Sequence, residues 1–397
     1  MQARPFPLYL TSSSLWMAAM SLQGFLLTWM LVGILELSAD RVGVARALID
    51  MPALAILLLG GVLADRSDVR TLLLRMHLLI SLPCFALALI EGTSAFGYAT
   101  VVVWGIAVSA LQAMSDPARQ AMLSRVAQTD IQRTVTMMTI VTSLVGLAGV
   151  WIGGQMEQIG LARVLVLQGL FFAAGALALR PLPAMPAPAG RRPHVLAGLA
   201  RSWQLPLVRN TIALNFVSSL FNAGAYVIAV PFIVKEVYQG DADFFALVMI
   251  VFTAGSIGSN VVLLRFMPLV RPGRLFLWMQ LTRVAVLAIL YVKPNLPVFF
   301  LSIFAWGLNM GVTTTLVRTT VQELAPDEHR AQILAVLLLS FMVSAPLSAL
   351  LLGWFIAGWD PLTALLPGIA ISLAIFAVGL TRSGLWEYEA ADGRRRR

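Results

Sequence analysis

Apolar positions in this chain do not alternate with polar ones, nor do they keep to one side of a helix; they fill whole blocks. A block of about 20 apolar residues, rising 1.5 Å per residue as a helix, matches the hydrocarbon thickness of a bilayer. Such blocks recur near residues 8–34, 43–64, 72–91, 97–116, 134–156 and 162–179. A second set falls near 209–234, 243–265, 274–292, 296–317, 332–357 and 362–381. The pattern predicts an all-α membrane protein with twelve transmembrane helices and both termini on the same side.

Residues 181–207 interrupt the series with PLPAMPAPAGRRPH followed by VLAGLARSWQ. Repeated Pro blocks a helix and favours an extended, semi-rigid linker, while VLAGLARSW suits a short helix lying at the membrane surface. This divides the chain into a six-helix bundle over 1–180, a cytoplasmic Pro-rich linker over 181–207, a second six-helix bundle over 208–382 and a basic cytoplasmic tail over 383–397. The halves also resemble each other. RQAMLSRVAQTDIQR at 119–133 parallels RTTVQELAPDEHR at 318–330, each beginning with Arg after a long span and closing on an Asp-containing turn. Arg70 and Arg274 open the third and ninth spans alike. Two pseudo-symmetric six-helix bundles are a transporter architecture, with the substrate held where the repeats meet.

Composition agrees with this reading. The 397 residues are 59% hydrophobic and 12% charged, about half the charged share of a soluble protein. The net charge of +9 follows the topology: of 28 Lys and Arg, 22 fall on one side of the predicted spans, 4 on the other and 2 within spans. That asymmetry puts the rich side, with both termini, in the cytoplasm, and it argues against a nucleic-acid partner. A lone cysteine, Cys84, and three scattered histidines give no disulfide and no metal cluster. No cofactor is expected. The first apolar run lacks a cleavage pattern and reads as a retained helix.

Between the second and third spans stands Gly60-Gly61-Val62-Leu63-Ala64-Asp65-Arg66-Ser67-Asp68-Val69-Arg70. This loop resembles the G-x-x-x-D-R-x-G-R-R motif of the major facilitator superfamily, with Gly61, Asp65, Arg66 and Arg70 matching. Asp68 in place of Gly is similar to the drug:proton antiporter branch of macrolide-efflux and enterobactin-exporter type proteins, as are Pro52 and the Asp116-Pro117-Ala118-Arg119-Gln120 segment. Val69 departs from it, and the fifth span carries Gly146, Gly149, Gly153 and Gly154 without the family's usual Pro. The resemblance implies the major facilitator fold and a cytoplasmic gate built from Gly61, Asp65, Arg66, Arg70 and Arg119, with Asp65 and Arg119 as partners. The other reading of the loop is a solvated turn with topogenic arginines.

Charges within a membrane span are costly and so are informative. Asp50 lies fifteen positions before Asp65, or about 22 Å along the helix, with Arg46 four residues earlier on the same face. The pair reads either as a proton-coupling site or as a self-neutralising structural pair. Arg283, in the ninth span, reads as structural. In the family fold the first, fourth, seventh and tenth helices line the cavity, so Gln23, Thr28, Gln112, Asn215, Asn222, Asn309 and Thr313 are candidates for contacting substrate. Trp29 and Trp306 are candidate aromatic walls, together with Phe25, Trp104 and Phe221. The alternative for each polar group is interhelical hydrogen bonding.

The expected function is secondary active transport in a bacterial inner membrane: export of a small amphipathic molecule by alternating access, coupled to protons through antiport. The alternative is an ion-independent facilitator or a lipid or lysolipid flippase. No phosphate-binding loop is present and no catalytic pair lies at depth, so an enzyme is not expected. The expected partners are the amphipathic substrate, protons and the lipid bilayer, with the chain acting as a monomer.

Overall fold

The computed structural model describes residues 5–126, 131–186, 195–267, 269–326 and 328–390, with the backbone alone described at 57–66, 124, 131–136 and 195–198. The principal helices are α1 (Pro5–Trp29), α2 (Ala39–Arg66), α3 (Val69–Ile90), α4 (Tyr98–Val126), α5 (Ile131–Gly154) and α6 (Leu161–Leu179). They continue with α7 (Val195–Gln204), α8 (Pro206–Gly224), α9 (Ala242–Phe266), α10 (Pro272–Tyr291), α11 (Leu296–Leu324), α12 (Arg330–Gly358) and α13 (Leu366–Thr381). Among the described residues, eleven helical segments are long and apolar enough to cross a membrane. The expected second span coincides with α2, much of which has only its backbone described. Large apolar side chains stand exposed along the spans, Leu89 and Leu82 among them. Such surface is tolerated only where lipid or another apolar partner covers it.

Two helices extend beyond the blocks that hydropathy marks. α4 continues through Pro117 and Arg119 to Val126, and α11 runs past Arg318 to Leu324. The paired Arg-led segments thus begin as helix extensions, not as loops. Their Met, Leu and Val residues keep an apolar side, and Met122, Val126 and Val321 are buried.

The chain forms two compact units. One comprises Met1–Leu37, Ala45–Arg191 and Gly240–Leu247; the other comprises Ser38–Val44, Arg192–Gln239 and Val248–Arg397. In the first, α3 packs on α4 and α6, and α1 packs on α5 and α6. The glycines of α5 explain the close approach to α1: a Cβ on Gly149 would strike the Ala18 carbonyl, and one on Gly153 the Phe25 ring. Small residues at a helix contact let backbones approach in this way. In the second unit, α8 packs on α11, α12 and α13, and α10 packs on α11 and α13.

The half-chain repeat recurs in backbone detail. A π-helical turn, Met30–Ile34, follows α1, and another, Ile233–Val237, ends the segment that follows α8, 203 residues later. Each closes with an i→i−5 bond, Leu35 N–H to the Met30 carbonyl (2.9 Å) and Tyr238 N–H to the Ile233 carbonyl (3.1 Å). The next residues, Glu36 and Gln239, both take a positive φ, 46° and 53°.

Each unit also ends in a strap over its own helix ends. In the first, Asp68 caps α3 by accepting from Thr71 N–H (2.8 Å) and also accepts from Met185 N–H. Val69 N–H donates to the Met185 carbonyl (2.9 Å), Arg70 Nε to the Leu179 carbonyl (3.2 Å) and Arg125 Nη1 to the Pro186 carbonyl (2.7 Å). Leu182 is buried with Leu73, Met76 and Met122. In the second, Ala390 N–H donates to the Val270 carbonyl (3.0 Å) and Arg274 Nε to the Trp386 carbonyl (2.7 Å). Arg271 pairs with Glu389 (2.6 Å), and Tyr388 donates to Glu323 (2.9 Å). Leu385, 203 residues after Leu182, is buried with Phe276, Val321 and Leu337.

Candidate functional site

The candidates of α1 bond or pack within the first unit, with Gln23 Nε2 left unpartnered among the described residues. Gln23 is buried, and its Oε1 accepts from Gln168 Nε2 of α6 (2.7 Å). Thr28 returns its hydroxyl to the Gly24 carbonyl (2.9 Å). Trp29, 1% exposed, stacks on Phe245 with centroids 5.4 Å apart, and Phe25 lies at the same distance from that ring. Gln112, on α4, is half-buried. Trp104 helps line an apolar cavity of about 260 Å³ between α3 and α4.

Of the gate residues, Gly61, Asp65 and Arg66 lie outside the described side chains, and with them the Asp65–Arg119 pair. Arg70 serves the strap. Arg119 is set in a polar-aromatic cluster: Tyr9 donates to its carbonyl (2.7 Å), and its guanidinium carbon sits 4.6 Å from the centre of the Trp16 ring. Trp16 in turn lies 4.7 Å from the buried His77 ring. His77 is fixed through Nδ1 to the Leu73 carbonyl (2.9 Å) and Nε2 to Ser12 Oγ (3.3 Å). Asp116, one turn before Arg119, faces it as an opposite charge. Sequence reasoning marked Arg119 by its motif but missed Tyr9, Ser12 and His77, whose scattered positions converge only when α1, α3 and α4 pack.

Asp50 is half-buried on α2, and Arg46 bears on it as a charge one turn away, but among the described residues no ion pair joins them. A second carboxylate, not marked by the sequence, is better satisfied. Asp243, in the first turn of α9, accepts from Gln155 Nε2 (2.6 Å) and Gln158 Nε2 (2.9 Å) within the first unit.

In the second unit the polar candidates gather around a buried cation. Arg283 of α10 is 2% exposed. Its Nε donates to Asn309 Oδ1 (2.9 Å), its Nη1 to Ser218 Oγ (2.6 Å) and Gln280 Oε1 (3.2 Å), and its Nη2 to Thr313 Oγ1 (3.3 Å). Asn309 Nδ2 donates to the Met279 carbonyl (2.6 Å) and Thr282 Oγ1 (2.8 Å). Neutral acceptors from α8, α10 and α11 thus surround one guanidinium in place of a carboxylate. Asn222 donates to the Ser218 carbonyl (3.0 Å). Asn215 is buried with its Nδ2 unpartnered, as is Trp306 Nε1, whose ring meets Tyr226 and Phe252 edge-on.

Residues 211–395 match the family model of the Major Facilitator Superfamily. By overall structure the chain is similar to the nucleoside transporter NupG, with a TM-score of 0.75 at 14% identity, covering 97% of this chain and 98% of that one. It is similar to a D-xylose-proton symporter with a TM-score of 0.71 at 12% identity, covering 95% and 96%. A bacterial homologue of the lysosomal transporter Spinster gives 0.65 at 13%, covering 97% of each. No curated protein matches the chain significantly by sequence. With its apolar helices and the superfamily's match over residues 211–395, the chain has the major facilitator fold.

Proposed function

We propose that the chain is a secondary active transporter that exports a small amphipathic molecule from the cytoplasm of a bacterial cell by proton antiport. Asp50 carries this reading: it is a carboxylate on a membrane helix, half-buried, biased by Arg46 yet not locked into an ion pair with it. A carboxylate so placed changes its proton affinity as its surroundings wet and dry. The D-R-S-D-V-R loop, with Asp68 where the general motif has Gly, supports efflux. Export by alternating access then needs Asp50 to load and release a proton in each cycle. The test is reconstitution into liposomes with an imposed pH gradient, following counterflow of amphipathic dyes. Asp50→Asn should abolish the response to the gradient and retain exchange at zero gradient. Flux of that variant that still follows the gradient would refute the coupling role.

A second reading is an ion-independent facilitator or lipid flippase of the same fold. It is favoured by the engagement of several polar candidates: Thr28, Asn309 and Thr313 bond within the protein, and Gln23 accepts from Gln168 through Oε1. Wild-type flux indifferent to both pH gradient and membrane potential would select it.

A further inference from the structure

Helix α7 lies over the ends of α8 and α12 in the second unit and roofs an apolar cavity of about 370 Å³. Leu199 and Trp203 contribute from α7, Ile212 and Phe216 from α8, and Leu339 and Val343 from α12. Arg209 to Phe216 on α8 and Val336 to Val343 on α12 give the groove about 10 Å of length along the helices. Among the described residues Arg209 is its one charged lining residue, and no acidic side chain lines it. The Arg209 guanidinium carbon stands 5.6 Å from the Trp203 ring centre. Among the described residues its only hydrogen bond is a long one from Nε to Asn210 Oδ1 (3.4 Å), so both terminal nitrogens remain available. Trp203 and Leu199 are 67% and 51% exposed, and Arg201 sits on another side of α7.

A short amphipathic helix with an exposed Trp, on the arginine-rich side of a membrane protein, is suited to the headgroup boundary. Beneath it a cation stands at the mouth of an oily slot between two spans. We propose that this is a binding site for one anionic phospholipid, its phosphate on Arg209 beside Trp203 and an acyl chain between α8 and α12 under α7. Charge complementarity selects the anionic class, since a zwitterionic headgroup brings a cation to a site whose one charge is already positive. The slot selects a lipid over a free phosphate, because it offers apolar contacts to a chain and none to an ion. The inference does not depend on the cargo or the coupling proposed above.

The probes are dioleoyl phosphatidylglycerol and dioleoyl phosphatidylcholine, which share their chains and differ in headgroup. Full-length protein in mild detergent is titrated with each, and retained lipid is counted by native mass spectrometry alongside the thermal midpoint. Phosphatidylglycerol should be retained in preference, as one tight equivalent, and should raise the midpoint. Arg209→Gln should weaken its retention about fivefold, the worth of one cation near an anionic headgroup, and Arg209→Lys should restore most of it. Ala213→Trp, which fills the slot and keeps the charge, should remove the tight equivalent and covers the case in which Arg209→Gln fails to fold. Equal retention of the two lipids, unchanged retention in Arg209→Gln or Ala213→Trp, or full competition by glycerol phosphate lacking chains would each overturn the proposal.

Discussion

Among the described residues the guanidinium of Arg283 has four neutral acceptors and no carboxylate, and this arrangement sets the order of stability among variants. Asn309→Ala removes the acceptor of Nε and leaves a buried cation short of one charge-assisted bond, worth about 1.5–3 kcal/mol. Ser218, Gln280 and Thr313 still hold the rest of the group, so the loss should be about 2 kcal/mol rather than the larger cost of stripping a buried charge bare. Arg283→Met acts differently. It orphans Asn309 Oδ1 and its neighbours, at about 0.6 kcal/mol for each hydrogen bond lost inside a membrane protein. It also removes the cost of desolvating an ion, which is several kcal/mol. These terms oppose, and Arg283→Met should fall within about 1 kcal/mol of wild type. The double variant should be more stable than Asn309→Ala alone, because the alanine no longer faces a charge. Unfolding of the purified protein in mixed micelles, followed by circular dichroism across the full cycle of four proteins, measures the coupling. If Arg283→Met loses more than Asn309→Ala, or the double variant loses the sum of the two, the cation is a net stabiliser and the reasoning is refuted.

The straps yield two further expectations. In Asp68, desolvation pushes the carboxyl up, but hydrogen bonds from Thr71 and Met185 and the charge of Arg70 outweigh it and hold the group below its usual value. A depressed carboxyl contributes stability above its unfolded value, near 3.9, and loses it as pH falls through the folded value. Asp68→Ala should therefore cost about 1 kcal/mol at neutral pH, a penalty that shrinks below about pH 4 in unfolding titrations. Truncation after Gly384 removes Leu385 from its core and the Arg271–Glu389 pair with it. It should cost about 3 kcal/mol, mostly through the buried leucine, whereas Glu389→Gln alone, breaking a partly exposed pair, should cost under 1 kcal/mol. Thermal midpoints of the two proteins separate these contributions.

How much of this was legible in the sequence depends on what each residue answers to. The spans were legible because lipid imposes a length and an apolar character on every crossing helix. The repeat was legible from Arg70 and Arg274, and it extends to features with no sequence signature, such as the π turns before Glu36 and Gln239. The extension of α4 and α11 was hidden because hydropathy reports where lipid ends, not where helix ends. The reading of Arg283 as structural agrees with its closed ring of bonds, yet the partners could not be named: Ser218 and Gln280 are ordinary residues until α8 and α10 meet. Asn309 and Thr313 were marked as cavity groups by their helix, and both hydrogen-bond to Arg283. Periodicity cannot separate a polar residue that faces a cavity from one that faces a buried neighbour.

The single cysteine has a practical side. Cys84 is fully buried in α3, and its thiol points to the Ile80 carbonyl at 3.5 Å. The native chain is therefore close to a silent background for thiol chemistry, and a reporter cysteine can be introduced without first rebuilding the core. Ser94, in the turn after α3, and Ala184, after α6, are exposed and follow the C-terminal ends of two antiparallel helices, since Arg70 at the start of α3 bonds Leu179 at the end of α6. Cysteines placed there one at a time would be reached by a membrane-impermeant maleimide from opposite faces of the cell membrane. The orientation now inferred from arginines would then be read directly from intact cells.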